Sequence, residues 1–149
     1  MLWKILGGVG LLLVIAFSSL IGKQVGKGSV ENYYTNKNKG AFDEELTKSV
    51  SQINANLPRM VDTETRLDSA VGSNKNLRYN YTLVNYSEKT LSADALNNAV
   101  GKNIVNEVCT AKETKVFIKN GVTISFAYHG NEGKQITVIS VAPSQCDNT

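Results

Sequence analysis

Between Ile5 and Gly22 the chain runs through ILGGVGLLLVIAFSSLIG without a charged residue; Trp3 and Lys4 precede it, and Lys23 and Lys27 follow. At roughly 1.5 Å per residue a helix of this length spans about 27 Å, close to the ~30 Å hydrocarbon thickness of a bilayer. The stretch therefore reads as a membrane anchor within residues 1–28, with Trp3 suited to the interface and the lysines able to snorkel. A cleaved signal would end in a small-x-small site. The exit SSLIGKQVGKGS has no A-x-A and runs into lysines, so an uncleaved anchor is the stronger reading. Ser18, Gly22 and Gly26 recur every four residues and form a small-xxx-small ridge on which two anchors could pack into a homo-oligomer. The plainer account is that glycine is common in membrane helices.

Charge supports the division. The formal charge is +3, from 16 Lys+Arg and 13 Asp+Glu. Lys4, Lys23 and Lys27 account for the whole excess, so the rest of the chain is neutral. Nucleic-acid binding needs basic side chains gathered over phosphates, and no such surplus exists. Two cysteines and one histidine also leave little for a metal site, and no cofactor fingerprint is present.

Orientation rests on Cys109 and Cys146. The basic residues flanking the anchor are nearly balanced, so the positive-inside rule decides little. A disulfide between the two cysteines would constrain the unfolded chain by ~3–4 kcal/mol and would require an oxidising compartment; two free thiols in the cytosol is the competing state. The bridge favours an N-terminus inside and a domain outside the cytoplasm.

Residues 29–41, SVENYYTNKNKGA, read as a polar linker, and residues 42–149 as the folded domain. Phe42, Leu46, Val50, Ile53 and Leu57 share one face of a first helix, with Asp43, Glu44 and Glu45 in its first turn and Pro58 at its exit. Arg66–Val71 is a weak strand with Leu67 and Val71 on one face. Leu77–Tyr86 is a stronger one, alternating Leu77, Tyr79, Tyr81 and Leu83 against Arg78, Asn80 and Thr82. Ser92 can cap a second helix carrying Leu96, Val100, Ile104 and Val108; Gly101 in its middle costs about 1 kcal/mol relative to Ala. Val116–Ile118, Asn120-Gly121 and Val122–Tyr128 together read as a type I′ hairpin. Gln135–Val141 only partly alternates, which suits a central strand, and Pro143 ends it. The order α-β-β-α-β-β-β predicts an α+β domain with an antiparallel sheet.

Catalytic signatures are absent. His129 is expected in an exposed turn, and a bonded cysteine cannot serve it as a thiolate. Asp62, Glu64 and Asp68 are interleaved with Arg59 and Arg66, which favours a salt-bridged connection over a carboxylate pair. Tyr79, Tyr81 and Tyr86 concentrate aromatic surface, and tyrosine is enriched at interfaces; the alternative is that Tyr79 and Tyr81 share the buried face with Leu77 and Leu83.

The runs LPRMVDTETRLDSAV, LRYNYTLVNYS and VISVAPSQC resemble a family of small uncharacterised bacterial proteins with one N-terminal membrane helix. The resemblance implies a bacterial envelope setting, a single pass of the inner membrane with the domain in the periplasm or otherwise outside the cytoplasm, and it supplies no catalytic residue. The expected function is a non-enzymatic, membrane-anchored extracytoplasmic interaction domain with a protein partner in an assembly, secretion or sensing complex. The alternative is a secreted or tethered inhibitor or immunity-type protein.

Overall fold

The computed structural model describes residues 39–147. The Ile5–Gly22 run, the Ser18–Gly22–Gly26 ridge and most of the polar linker lie outside the described residues. Among the described residues no helix is long and apolar enough to cross a membrane.

Helix α1 (Lys39–Asn54) takes in the end of the polar stretch, so Asp43 to Glu45 fall in its second turn and not its first. Leu46, Val50 and Ile53 are buried, as their spacing requires. Strand β1 (Arg59–Met60) is followed by β2 (Thr65–Ser73) and β3 (Asn76–Leu83). The β2–β3 hairpin turns at Asn74 and Lys75, both at positive φ (50° and 59°), which is the type I′ geometry. The type I′ turn is therefore here and not at Asn120-Gly121.

Helix α2 (Ala93–Thr110) starts where the sequence places it: Ser92 Oγ accepts from the Ala95 amide at 3.2 Å. Leu96, Val100, Ile104 and Val108 are all buried. The next segment departs from expectation. Val116–Ile118 lies in helix α3 (Lys112–Lys119) and forms no strand. Asn120 is the helix C-cap, and Gly121, at φ 77°, takes the left-handed position after it. The Gly121 amide donates to Ile118 O at 3.0 Å and the Val122 amide to Phe117 O at 2.9 Å, the paired bonds of a Schellman ending. Asn-Gly supports positive φ in either setting, and here it closes a helix.

That helix changes the sheet. Strands β4 (Thr123–Gly130) and β5 (Gln135–Val141) complete a five-stranded sheet in the order β1-β2-β3-β4-β5. β3 and β4 are parallel and the other pairs antiparallel, so the sheet is mixed and not antiparallel as predicted. Parallel neighbours need a long crossover, and α2 with α3 supplies it. β5 is an edge strand, not a central one.

A bulge at Asp68 corrects β2. Leu67 faces Tyr81, but Ser69 already faces Asn80. Past this extra residue the phase reverses: Ala70 and Gly72 turn inward, and Val71, expected beside Leu67, is 55% exposed. The reversal seats α1. A Cβ on Gly72 would lie 2.7 Å from Val50 Cγ2 and 3.0 Å from Leu46 Cγ, so helix and strand approach as closely as they do because residue 72 has no side chain. α1 packs against β2, and α2 against β5. Beyond β5, Cys146 is disulfide-bonded to Cys109 with their Cα atoms 5.1 Å apart. The bridge ties the end of the chain to the last turn of α2.

Candidate interaction surfaces

The tyrosine strand comes first because the sequence offered two readings of it. Tyr79 and Tyr81 are 4% and 3% exposed. Each points to the helix-covered face, where Phe126 and Tyr128 from β4 join them. Tyr79 stacks on Phe126 at 5.9 Å between centroids, and Tyr81 on Tyr128 at 5.5 Å. Burial pushes the hydroxyl pKa of all three tyrosines well above the usual range. Tyr79 and Tyr81 thus belong to the core and present no ring to a partner.

Tyr86 lies beyond the end of β3 and is half-buried. Partial burial and then the neighbouring Glu64 carboxylate, to which its hydroxyl is bonded, raise its pKa. Its carbonyl accepts from the Asn131 amide at 2.7 Å, and the following residues ion-pair across the β4–β5 turn: Lys134 with Glu88 at 3.1 Å and Lys89 with Glu132 at 3.3 Å. This loop is fastened to the hairpin.

The sheet's other face is open and polar. Asp68 accepts from Arg66 and from the Thr82 hydroxyl. Arg78 Nε donates to Asn80 Oδ1 at 3.2 Å and its Nη2 to Gln135 Oε1 at 3.0 Å, so this side chain reaches from β3 across β4 to β5. Ala127, on β4 between those rows, is fully buried. Ser125 and Ser140 pair at 2.9 Å. The hydroxyls, amides and charges here largely satisfy one another.

The sequence's catalytic candidates do not converge. His129 is in β4 and not in a turn, with Nδ1 3.2 Å from the Tyr81 carbonyl oxygen. Asp62 Oδ1 accepts from the amides of Glu64 and Thr65 at 2.7 Å each, while Asp68 is engaged on the open face. Both cysteines are bonded. Among the described residues no group of three or more His, Cys, Asp or Glu side chains could hold a metal ion.

One surface escaped the sequence reading. Beside the point where Asn97 meets Thr137 of β5, α2 carries a shallow hollow of about 440 Å³, lined by Asn97, Gly101, Lys102, Val105 and Asn106. A Cβ on Gly101 would meet nothing within 4 Å. No packing requirement accounts for this glycine, whose presence inside a helix costs about 1 kcal/mol. The available signal was the glycine itself, in a helix of otherwise regular spacing.

The arrangement has close structural counterparts. A candidate secreted protein from Pseudomonas aeruginosa superposes with a TM-score of 0.56 at 12% identity, covering 70% of this chain and 95% of its own. The pilotin EpsS from the Vibrio vulnificus type 2 secretion system gives 0.58 at 11% identity, covering 72% and 94%. The type II secretion pilotin AspS from Vibrio cholerae gives 0.54 at 10%, again covering 72% and 94%. These likenesses establish a shared fold. Among curated proteins, none matches the sequence. Residues 33–138, most of the chain, match DUF8479, described as a domain of unknown function, and the protein belongs to that family.

Proposed function

We propose that this protein is a non-enzymatic extracytoplasmic interaction domain, held at a bacterial envelope by its N-terminal segment and working within a secretion or assembly complex. The observation that carries the reading is the fold shared with two pilotins of type 2 secretion systems. The Cys109–Cys146 bridge supports an oxidising compartment. The hollow on α2 is where a partner is best sought, because Gly101 leaves room there that the fold does not use.

Two measurements test this. Treatment of intact cells with a membrane-impermeant thiol reagent, after mild reduction, should label Cys109 and Cys146; labelling only after lysis would place the domain in the cytoplasm and end the proposal. In-cell cross-linking of the full chain, followed by mass spectrometry, should then enrich subunits of a secretion or assembly complex. Gly101→Gln fills the hollow without touching the core and should reduce that enrichment. Enrichment of cytoplasmic proteins alone would count against the reading.

A further inference from the structure

The two edges of the sheet are treated differently. At the β2 side the edge is closed: β1 covers Arg66 and Leu67, a bulge follows at Asp68, and the Asn54 side chain grips the next stretch. Its amide nitrogen donates to Ala70 O at 2.8 Å, and its Oδ1 accepts from the Ala70 amide at 2.7 Å. These are the devices that keep an edge from recruiting another strand.

The β5 side has little of this. Gln135-Ile-Thr-Val-Ile-Ser-Val141 contains no charge, no proline and no glycine. Its bulge lies at the turn end, opposite Tyr128 and His129, which leaves Thr137 to Val141 in regular pairing with β4. Among the described residues β4 is its only neighbour in the sheet, so alternate N–H and C=O groups of β5 point away from the described domain. The strand is apolar on both faces: Val138 opposes Ala127 on the open side, while Ile139 opposes Phe126 and Val141 opposes Ile124 on the covered side. Such a sequence suits a strand covered on both faces, which is why β5 reads as central.

We infer that β5 is completed by β5 of a second copy of this chain. An antiparallel pairing about a two-fold axis near Val138, the middle residue of the strand, would join two five-stranded sheets into one. Self-pairing suits this edge because no charge between Gln135 and Val141 meets its own copy, whereas an edge lysine would face a like charge. The contact is isologous and closes after two copies. The contact engages one short strand from each copy, so the dimer is expected to dissociate on dilution. The pairing uses main-chain groups of the sheet edge, whereas the interaction reading rests on the α2 hollow, and Asn97 joins the two elements.

Sedimentation velocity of the full chain in detergent, over a hundredfold range of concentration, tests the pairing. Wild type should pass from monomer to dimer, with amide exchange across 137–141 slowing as the dimer forms. Val138→Lys sets two lysines against each other and should remain monomeric over the same range. Mixing it with Val138→Glu should restore the dimer, a rescue that packing of the N-terminal segments would not produce. If Val138→Lys melts well below wild type, Ser140→Lys tests the pairing from an exposed position: this register sets it opposite Ile136 of the second copy, where a charge against an apolar side chain should also weaken the dimer. A wild type that is monomeric throughout, or a dimer that both lysine variants leave intact, overturns the inference.

Discussion

Tyr128→Phe removes one oxygen from the middle of the core, and the structure fixes what should follow. Tyr128 is 0% exposed, and its hydroxyl has no hydrogen-bond partner among the described residues. A buried hydroxyl left unsatisfied carries a desolvation penalty of ~1–3 kcal/mol. Phenylalanine keeps the ring and its stacking on Tyr81 while removing the penalty. The variant should therefore be more stable at pH 7 by ~1–2 kcal/mol, with a melting temperature higher by roughly 4–8 °C for each kcal/mol in a domain near this size.

Alkaline pH supplies the second half of the test. Burial first, then the Asp62 and Glu107 carboxylates, raise the Tyr128 pKa in the fold, while the unfolded chain ionises near pH 10. The hydroxyl stays neutral when folded and loses its proton when unfolded. Its contribution is accordingly complete below pH 10 and is lost as pH rises above it, at ~1.4 kcal/mol per pH unit for each such group. Tyr79, Tyr81 and Tyr128 together give a slope of ~4 kcal/mol per unit, and Tyr128→Phe reduces it by a third. Urea titrations from pH 7 to 11.5 should show the variant's advantage constant to pH 10 and widening beyond it. A variant less stable than wild type by 1 kcal/mol or more at pH 7 would refute the reasoning, because the hydroxyl would then be satisfying a bond the fold depends on.

Three other outcomes are expected. Gly72→Ala should lower stability by ~1–3 kcal/mol in urea unfolding, since its Cβ must displace Val50 and Leu46. Reducing the Cys109–Cys146 bridge should lower stability by ~3–4 kcal/mol in the chain-entropy account, measured by thermal melts with and without reductant. Desolvation raises the Glu107 pKa, so its burial destabilises the fold above that pKa and is relieved as pH falls; Glu107→Gln should melt higher than wild type at pH 7, and the difference should shrink towards pH 4.

The parts of the fold that were legible in the sequence are those decided by neighbours in the chain. α2 has apolar residues four apart and a serine placed to cap it. β3 alternates for eight residues between a helix-covered face and an open one. The errors came where a local pattern serves two structures, or where the deciding contact is distant. Val116-Phe-Ile118 followed by Asn-Gly has the chemistry of a hairpin, yet the same glycine closes α3, because Thr114 and Phe117 bury one helical side. With that helix in place the chain returns beside β3 in parallel, a pairing that no local period encodes. The bulge at Asp68 is similar: it is held by Arg66 and Thr82 across the sheet, and it alone decides that Ala70 and not Val71 faces α1. For the tyrosines, alternation with Leu77 and Leu83 already contained the answer, and the interface reading of Tyr79 and Tyr81 fails for that reason.

These elements bear on the proposed role of α2 in meeting a partner. Its first turn follows the 86–90 loop, which two ion pairs and the Asn131–Tyr86 bond fasten to the β4–β5 turn. Its last turn is bonded through Cys109 to the end of the chain after β5. Between these points Leu96, Val100, Ile104 and Val108 hold one side against the core, and Thr137 Oγ1 donates to Asn97 Oδ1 at 2.9 Å from β5. A helix fixed at both ends and along one side loses little further freedom when its free side is covered. Pre-ordering of this kind lowers the entropic cost of association. Gly101 weakens the helix by about 1 kcal/mol, and the fixings at its two ends let the helix carry that weakness.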